Sequence, residues 1–225
     1  MKISEIFHSI QGEGTLAGVS SVFVRTSGCN LRCTWCDTPY TSWKPEGADM
    51  TVASILEAVE GYGARHVVLT GGEPMLFEES VVLCRELRAR GKHITIETAG
   101  TVFREIDCDL MSISPKLANS TPTQDPYWSV QHDKLRLQPE VLRRLMGLCD
   151  YQLKFVVAAE ADLLEIHPLV ESLAAKAEHV MLMPEGRDSK TLNERSVWIA
   201  EVCKQYGYRY SPRLHVLLWG DRRGI

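Results

Sequence analysis

Residues 28–37 of this 225-residue chain read GCNLRCTWCD and closely follow an apolar run, Val22–Thr26. The cysteines, Cys29, Cys33 and Cys36, are spaced C-x3-C-x2-C, so one tight loop can bring three thiolates to a single metal centre. A structural zinc site normally has four closed ligands, and no second C-x2-C or matching His pair is present, so zinc is the second interpretation. An iron–sulfur cluster is held by thiolates, and three of them leave one iron of a four-iron cluster open.

Five further apolar runs have the length and composition of buried strands. They are His66–Thr70, His93–Glu97, Leu110–Ser114, Leu153–Val157 and His179–Met183. Helical patterns lie between several of them, over Thr51–Tyr62, Ser80–Arg90, Ala161–Lys176 and Asn193–Tyr206. Alternating strands and helices predict βαβ units and a parallel sheet, so the fold class is α/β. We expect a single domain over residues 1–225, because no linker, repeat or low-complexity tract interrupts the chain.

Segments rich in Gly, Pro and charge follow four of the predicted strands. They are TGGEP at 70–74, ETAG at 97–100, SPK at 114–116 and MPEG at 183–186. Because ligands bind at the carboxyl ends of parallel strands, we expect these segments and the cysteine loop to line one site. The region Leu117–Gln138 is polar and lacks periodicity, which predicts a long connection that acts as a lid.

Composition narrows the classes of partner. A formal net charge of −4 and the absence of a Lys/Arg-dense block argue against a nucleic-acid partner. No stretch is apolar for long enough to cross a bilayer and no export signal opens the chain, so we expect a cytoplasmic protein with no membrane partner. Disulfides are rare in the cytosol, and we assign the scattered thiols of Cys84, Cys108, Cys149 and Cys203 to packing.

The cysteine loop resembles the signature of the radical S-adenosylmethionine superfamily. Longer stretches strongly resemble one family within it, 7-carboxy-7-deazaguanine synthase: EIFHSIQGEG at 5–14, FVR at 23–25, CDT at 36–38 and the TGGEP, ETAG and SPK segments. The resemblance runs in the same order from residue 3 to about residue 220. It implies the partial (incomplete) parallel β/α barrel of this superfamily.

The resemblance also implies an activity. Cys29, Cys33 and Cys36 would hold a catalytic [4Fe–4S] cluster whose open iron binds S-adenosylmethionine. The implied carbon–nitrogen lyase converts 6-carboxy-5,6,7,8-tetrahydropterin to 7-carboxy-7-deazaguanine with loss of ammonia, on the route to queuosine. A Mg2+ ion on Thr38, an electron donor of the flavodoxin or ferredoxin type and a homodimer are implied as well. Another small radical enzyme, such as a glycyl-radical activase, and a non-enzymatic zinc module remain as alternatives.

Two groups of site residues are expected. Those for S-adenosylmethionine are Trp35, Cys36, Asp37, Gly72, Glu73, Ser114, Pro115 and Lys116. Those for the substrate are Ile10, Gln11, Gly12, Arg25, Thr70 and His215. The amide of Gln11 matches the donor and acceptor edge of a pterin, and Arg25 supplies a cation for its carboxylate.

Four other positions carry weaker expectations. Glu13 can simply cap a turn, and His215 is equally well read as a strand histidine with satisfied hydrogen bonds. Met183 stands where other family members carry Gln, so an adenine contact there is expected from the backbone only. Ile225 is assigned no role.

Overall fold

The computed structural model describes the whole chain from Met1 to Ile225 as one open nine-stranded sheet with helices. The strands are β1 Lys2–Ile10, β2 Ser20–Thr26, β3 Ala48–Asp49, β4 His66–Gly71, β5 His93–Thr98, β6 Leu110–Ile113, β7 Asp150–Val157, β8 Val180–Pro184 and β9 Arg209–Tyr210. Their order is β3-β1-β2-β4-β5-β6-β7-β8-β9. From β2 onward the pairs are parallel, whereas β1 runs antiparallel to β2 and to β3. Because β3 and β9 remain edges, the partial barrel is confirmed.

Eight α-helices connect or follow the strands. They are α1 Pro39–Ser42, α2 Val52–Gly61, α3 Glu79–Ala89, α4 Pro126–Arg136, α5 Pro139–Met146, α6 Leu163–Ser172, α7 Ser189–Tyr206 and α8 Leu214–Trp219. The four helices and six strands predicted from periodicity are all present, with ends that differ by a few residues. No helix combines the length and the apolar character that a membrane span requires.

The two faces of the sheet differ in chemistry because successive side chains alternate along each strand. On β5, Ile94 and Ile96 are fully buried in the apolar core, which they share with residues of α2, α3, α5, α6 and α7. Thr95 and Glu97 lie on the other face. Polar residues of neighbouring strands share that inner face near Glu97: Arg25, Thr70, Ser112 and Lys154. The sheet therefore presents a polar wall on the side away from the helices.

One expectation about chain organisation is wrong, and one strand was not predicted. Leu117–Gln138 is not an irregular lid, because it contains a 3-10 turn at Ala118–Ser120 and helix α4. This helix has little apolar periodicity. It begins at Pro126, and its N-cap is Asp125, whose side chain accepts a hydrogen bond from the Trp128 N–H. The amino-terminal segment forms strand β1, whose register shift near its start interrupts the alternation that would have revealed it.

Candidate active site

A cavity of about 350 Å3 opens at the carboxyl ends of the parallel strands, and its size suits a small molecule. It is lined by nearly all the residues expected from the sequence: Ile10, Gln11, Gly12, Arg25, Cys29, Cys33, Trp35, Cys36, Asp37, Thr38, Thr70, Gly72, Ser114, Lys116 and His215. Glu73 and Pro115 do not line it. The fold thus gathers these residues around a single space.

The cysteine loop is held against the end of β4 by backbone contacts. The Glu73 N–H donates to the Gly28 carbonyl at 2.9 Å, and the Gly28 N–H donates to the Thr41 carbonyl at 2.8 Å. A Cβ on residue 72 would lie 2.2 Å from the Gly28 carbonyl oxygen, so this approach requires glycine. Gly72, the residue after β4, therefore allows the cysteine loop to lie directly on the end of that strand.

Helix α4 supports the other side of the loop. The Arg32 N–H donates to His132 Nδ1 at 3.1 Å, and His132 Nε2 lies 2.9 Å from Ser120 Oγ. Burial, followed by nearby cations, lowers the pKa of His132 to about 4, so the ring is neutral and Nε2 carries its proton. The Arg32 guanidinium also lies 4.2 Å from the centroid of the Trp128 ring. The segment expected to act as a lid is therefore a support for the cysteine loop.

The three loop thiols suit a four-iron cluster. Cys29, Cys33 and Cys36 line the cavity and pack with Leu31 and Ala99. No three His, Cys, Asp or Glu side chains lie close enough together to share one metal ion, whereas a closed zinc site needs four such ligands. A four-iron cluster has a different requirement, since each thiolate binds its own iron, and no fourth cysteine lines the cavity. Burial raises the pKa of Cys29 and of Cys33 to about 12, so binding metal must displace protons.

Three residues expected to contact S-adenosylmethionine adjoin one another beside the loop. Lys116 Nζ donates to Ser114 Oγ at 2.8 Å and lies 5.7 Å from the centroid of the Trp35 ring. The Trp35 Nε1–H donates to the Asn119 carbonyl at 3.1 Å, which fixes the indole. A cation, a hydroxyl and an aromatic ring are thereby presented together at the cavity wall.

Glu73 and Pro115 lie behind the lining. The Glu73 carboxylate is fully buried and accepts from Met75 N–H at 3.0 Å, Thr98 Oγ1 at 2.8 Å and Ala99 N–H at 2.9 Å. Burial is the largest influence on this carboxyl and raises its pKa. Its side chain therefore ties the ends of β4 and β5 together. Pro115 is buried as well.

Gln11 and Thr70 converge on Glu97, which belongs to the ETAG segment expected to line the site but was not assigned to a ligand. Gln11 Nε2 donates to Glu97 Oε1 at 3.0 Å, and Thr70 Oγ1 donates to Glu97 Oε2 at 2.8 Å. Both donors are buried, so the Glu97 carboxylate is held in one orientation at the cavity wall. It retains lone pairs for a ligand with N–H donors.

His215 lies at the start of helix α8, so its reading as a strand histidine is wrong. The Leu214 N–H donates to the Gly12 carbonyl at 2.9 Å, which brings the helix to the end of β1. A Cβ on Gly12 would lie 1.9 Å from His215 Nδ1, so the ring packs directly on the glycine. Burial lowers the pKa of His215 and favours the neutral imidazole.

Arg25 lies on the polar face of β2. Its Nε donates to Glu5 Oε1 at 2.7 Å, and its guanidinium carbon is 5.4 Å from the centroid of the Phe7 ring. No group of the chain bonds its two Nη atoms, which leaves them available to a carboxylate in the cavity.

A buried ion network forms the remaining polar wall. Glu13 accepts from Lys154 Nζ and from Arg213 Nε, the second at 3.2 Å, and Arg213 also donates to Asp37. Lys154 and Arg213 are only 4% and 7% exposed. Burial favours the neutral form of Glu13, but the two cations outweigh it and hold the pKa of this carboxyl well below its usual range. Glu13 is therefore a charged counterion inside the site and not a turn cap.

Two residues of this network, Lys154 and Arg213, were not predicted as site residues, and the sequence gives a local signal for only one of them. Lys154 interrupts the otherwise apolar run Leu153–Val157, where an unpaired charge is rarely buried, so the sequence alone could have identified it as a candidate site residue. Arg213 lies 200 residues from Glu13 and has no local signal. The last five residues, Asp221–Ile225, also line the cavity, although Ile225 was expected to have no role.

We predict that Glu13→Gln destabilises the fold by about 3–5 kcal/mol, because it leaves Lys154 without its hydrogen-bonded anion and takes one of the two anions from Arg213. Denaturant unfolding of the metal-free protein measures the change. The matched control, Glu140→Gln, removes an exposed pair with Arg143 and should cost less than about 1 kcal/mol. Equal effects of the two substitutions would contradict the structural role of the network.

Comparison with known proteins agrees with this geometry. Residues 23–121 match the radical SAM superfamily. The chain is 48% identical over 234 residues to a 7-carboxy-7-deazaguanine synthase of Halobacterium salinarum. That match covers 98% of this chain and 91% of the relative. It is 46% identical over 225 residues to the 7-carboxy-7-deazaguanine synthase of Rhodopirellula baltica. That match covers 99% of this chain and 88% of the relative.

A solved structure supports the same assignment. The crystal structure of QueE from Escherichia coli matches with a TM-score of 0.69 at 26% identity, over 93% of this chain and 92% of that one. A TYW1 structure with a lysine–pyruvate adduct shares the fold, with a TM-score of 0.58 at 13% identity over 82% of this chain and 73% of that one. By the extent of its match to these relatives, the chain belongs to the 7-carboxy-7-deazaguanine synthase family of the radical S-adenosylmethionine superfamily.

Proposed function

We propose that the chain converts 6-carboxy-5,6,7,8-tetrahydropterin to 7-carboxy-7-deazaguanine with loss of ammonia, in the biosynthesis of queuosine and related deazapurines. The observation that carries this proposal is that one cavity holds the three-cysteine loop together with Arg25 and the Gln11–Thr70–Glu97 group. The names of the most similar relatives support it. No observation favours a glycyl-radical activase or a zinc module.

The cofactors follow from the superfamily. Cys29, Cys33 and Cys36 would hold the [4Fe–4S] cluster. S-adenosylmethionine would bind beside it, among Trp35, Cys36, Asp37, Gly72, Ser114 and Lys116, with Glu73 and Pro115 contributing through the backbone. Bound together, the cluster and S-adenosylmethionine would supply one-electron chemistry for removing a hydrogen atom from the substrate. The residues that line the cavity would hold the cluster, S-adenosylmethionine and substrate in position relative to one another.

The polar face of the sheet is suited to a pterin. The free Nη atoms of Arg25 would bind the substrate carboxylate in a charge-assisted pair. Glu97 would accept from the amino and ring N–H groups of the pyrimidine edge, since Gln11 and Thr70 already fix its orientation. Ile10, Gly12 and His215 complete this part of the lining.

Lys154 would act as a fixed charge and not as a base. Burial alone would lower its pKa, but the attraction of Glu13 outweighs that effect and raises it, so the ammonium keeps its proton. Burial favours the neutral form of Asp37, but Arg213 outweighs this effect and lowers the pKa of the carboxyl at the end of the cysteine loop. The network thereby keeps the charges beside the substrate constant during the reaction.

We further propose a Mg2+ site at Thr38. Thr38 Oγ1 accepts from Thr41 Oγ1 at 3.3 Å and lies 3.9 Å from Cys36 Sγ, so the hydroxyl is held next to the cluster loop. Because no cluster of acidic ligands surrounds it, the substrate carboxylate and water would supply most of the coordination.

The proposed function also includes an electron donor of the flavodoxin or ferredoxin type, assembly as a homodimer and a location in the cytoplasm.

Anaerobic turnover tests the proposed reaction. Reconstituted protein is incubated with the carboxylated tetrahydropterin, S-adenosylmethionine and dithionite, and the deazaguanine product and ammonium are measured together. Equal amounts of both are expected. Protein that cleaves S-adenosylmethionine but yields neither product would support a different radical enzyme, and colourless protein that carries only zinc would refute the cluster.

Replacing Cys33 by Ala should abolish the cluster and S-adenosylmethionine cleavage together, because two thiolates do not hold a four-iron cluster. Iron and sulfide analysis and the visible spectrum measure this loss, against an expected four iron and four sulfide per chain in the unmodified protein. Cys203→Ala is the matched control, since Cys203 is buried in the core outside the cavity. A variant at Cys33 that retains a full cluster would remove this residue from the ligand set.

Arg25→Ala should weaken substrate binding by about 2–5 kcal/mol and leave the cluster intact, because it removes the cation expected to pair with the carboxylate. Anaerobic binding titration and cluster absorbance give the two readouts. Arg85→Ala, an exposed arginine of α3, is the control and should bind normally. Normal affinity in the Arg25 variant would place the carboxylate elsewhere.

Thr38→Ala should lower turnover about 10- to 100-fold and blunt its response to Mg2+, because the substrate is less well placed for hydrogen transfer. Cluster content and uncoupled S-adenosylmethionine cleavage should stay near normal. Thr38→Ser retains the oxygen and should recover most of the loss, while exposed Thr123→Ala should have no effect. An unchanged Mg2+ response in the alanine variant would show that Thr38 is not a ligand.

A further inference from the structure

Two cysteines outside the cavity lie next to each other at the opposite end of the sheet. Cys108 comes just before β6 and Cys149 just before β7, and these neighbouring strands pair Leu110 with Asp150. The two Sγ atoms are 3.1 Å apart, although 41 residues separate them in the chain. Neither residue lines the cavity, so the contact has no part in the proposed reaction. The assignment of both thiols to simple packing is therefore incomplete.

The two thiols differ in access. Cys108 is buried, with 5% of its surface exposed, whereas Cys149 is partly exposed to solvent. The hydrogen bond with Cys108 lowers the pKa of Cys149 against the effect of burial, and the Met111 N–H lowers it further. The same hydrogen bond raises the pKa of Cys108. The more accessible thiol of the pair therefore has the lowered pKa, and the buried thiol has the raised pKa.

We propose that Cys108 and Cys149 are a redox-active pair that forms a reversible disulfide by exchange with a small-molecule disulfide such as oxidised glutathione. The sulfur atoms need to approach by about 1 Å to reach the length of a covalent bond. The structure gives Cys84 and Cys203, the other buried thiols outside the cavity, no hydrogen-bonded cysteine partner. The pair is therefore distinct from the remaining cysteines of the core.

The exchange proceeds in two balanced steps. The Cys149 thiolate attacks one sulfur of oxidised glutathione, the glutathione S–S bond breaks, and one glutathione thiolate leaves. The Cys108 thiol gives its proton to that thiolate through solvent and attacks the Cys149 sulfur, which expels the second glutathione as a thiolate that takes up from solvent the proton released when Cys149 ionised. The protein pair loses two electrons and is oxidised, and the disulfide is reduced to two glutathione molecules. Only Cys149 has to meet the reagent, as its exposure allows.

A cross-link here would join the starts of β6 and β7 and close a long loop. Constraining the unfolded chain in this way should raise the thermal midpoint by about 5–10 °C. Because the bond lies away from the cavity, turnover should change less than about twofold. This inference does not depend on the proposed function, since it requires neither the cluster nor the pterin.

The experiment equilibrates anaerobic, cluster-loaded protein in glutathione buffers of increasing oxidised fraction, followed by acid quenching, alkylation and peptide mass mapping. We expect a disulfide-linked pair of peptides that contain Cys108 and Cys149, and its reversal by excess reduced glutathione. Cys108→Ser should stop the reaction at a stable glutathione adduct on Cys149. Cys149→Ser should leave Cys108 unmodified, and the matched control Cys203→Ser should form the cross-link normally.

The primary measurement uses the unmodified chain, so a variant that folds poorly does not decide the outcome. Absence of the linked peptides in the most oxidising buffer, with both thiols alkylated, would overturn the proposal. So would accumulation of a glutathione adduct on Cys149 that never resolves to the disulfide. A cross-link of Cys149 to any cysteine other than Cys108 would also refute the assigned pair.

Discussion

The carbonyl oxygen of Gly28 lies so near Gly72 that no side chain fits between them. This contact and the hydrogen bond that the Glu73 N–H donates to the Gly28 carbonyl fix the position of the cysteine loop against the end of β4. The Glu73 carboxylate also accepts a hydrogen bond from Thr98, which connects this part of the structure to the end of β5. Because helix α4 holds the far side of the loop, the three thiols have a fixed position relative to every strand end. The cavity depends on that position.

The second constraint is the burial of charge on the inner face of the sheet. Removing ions from water is costly unless each one is paired and hydrogen-bonded. Here Glu13 lies between Lys154 and Arg213, and Arg213 reaches Asp37 at the end of the cysteine loop. The arrangement links the cysteine loop to the polar wall of the cavity. Charge that would destabilise an ordinary core thus defines the shape of the site.

Local patterns in the sequence were sufficient for much of this architecture. The six apolar runs predicted the central parallel strands, and the cysteine spacing predicted the loop that carries the thiols. Strand β1 was missed because a bulge interrupts its alternation, and α4 was missed because polar contacts such as that of His132 hold it in place. The Glu13–Arg213 pair was beyond prediction, since only the folded chain brings two such distant residues together.

The distance between those two residues along the chain has a consequence for biosynthesis. During translation the cysteine loop emerges early, whereas Arg213 emerges only near the end of the chain. A nascent chain that stops short of Arg213 therefore has its three thiols but lacks one of the two cations that pair with Glu13. Helix α8, which brings His215 onto Gly12, is missing from that chain as well. The side of the cavity that contains His215 and Gly12 is consequently completed only after α8 has been synthesised, later than the loop that carries the three cysteines.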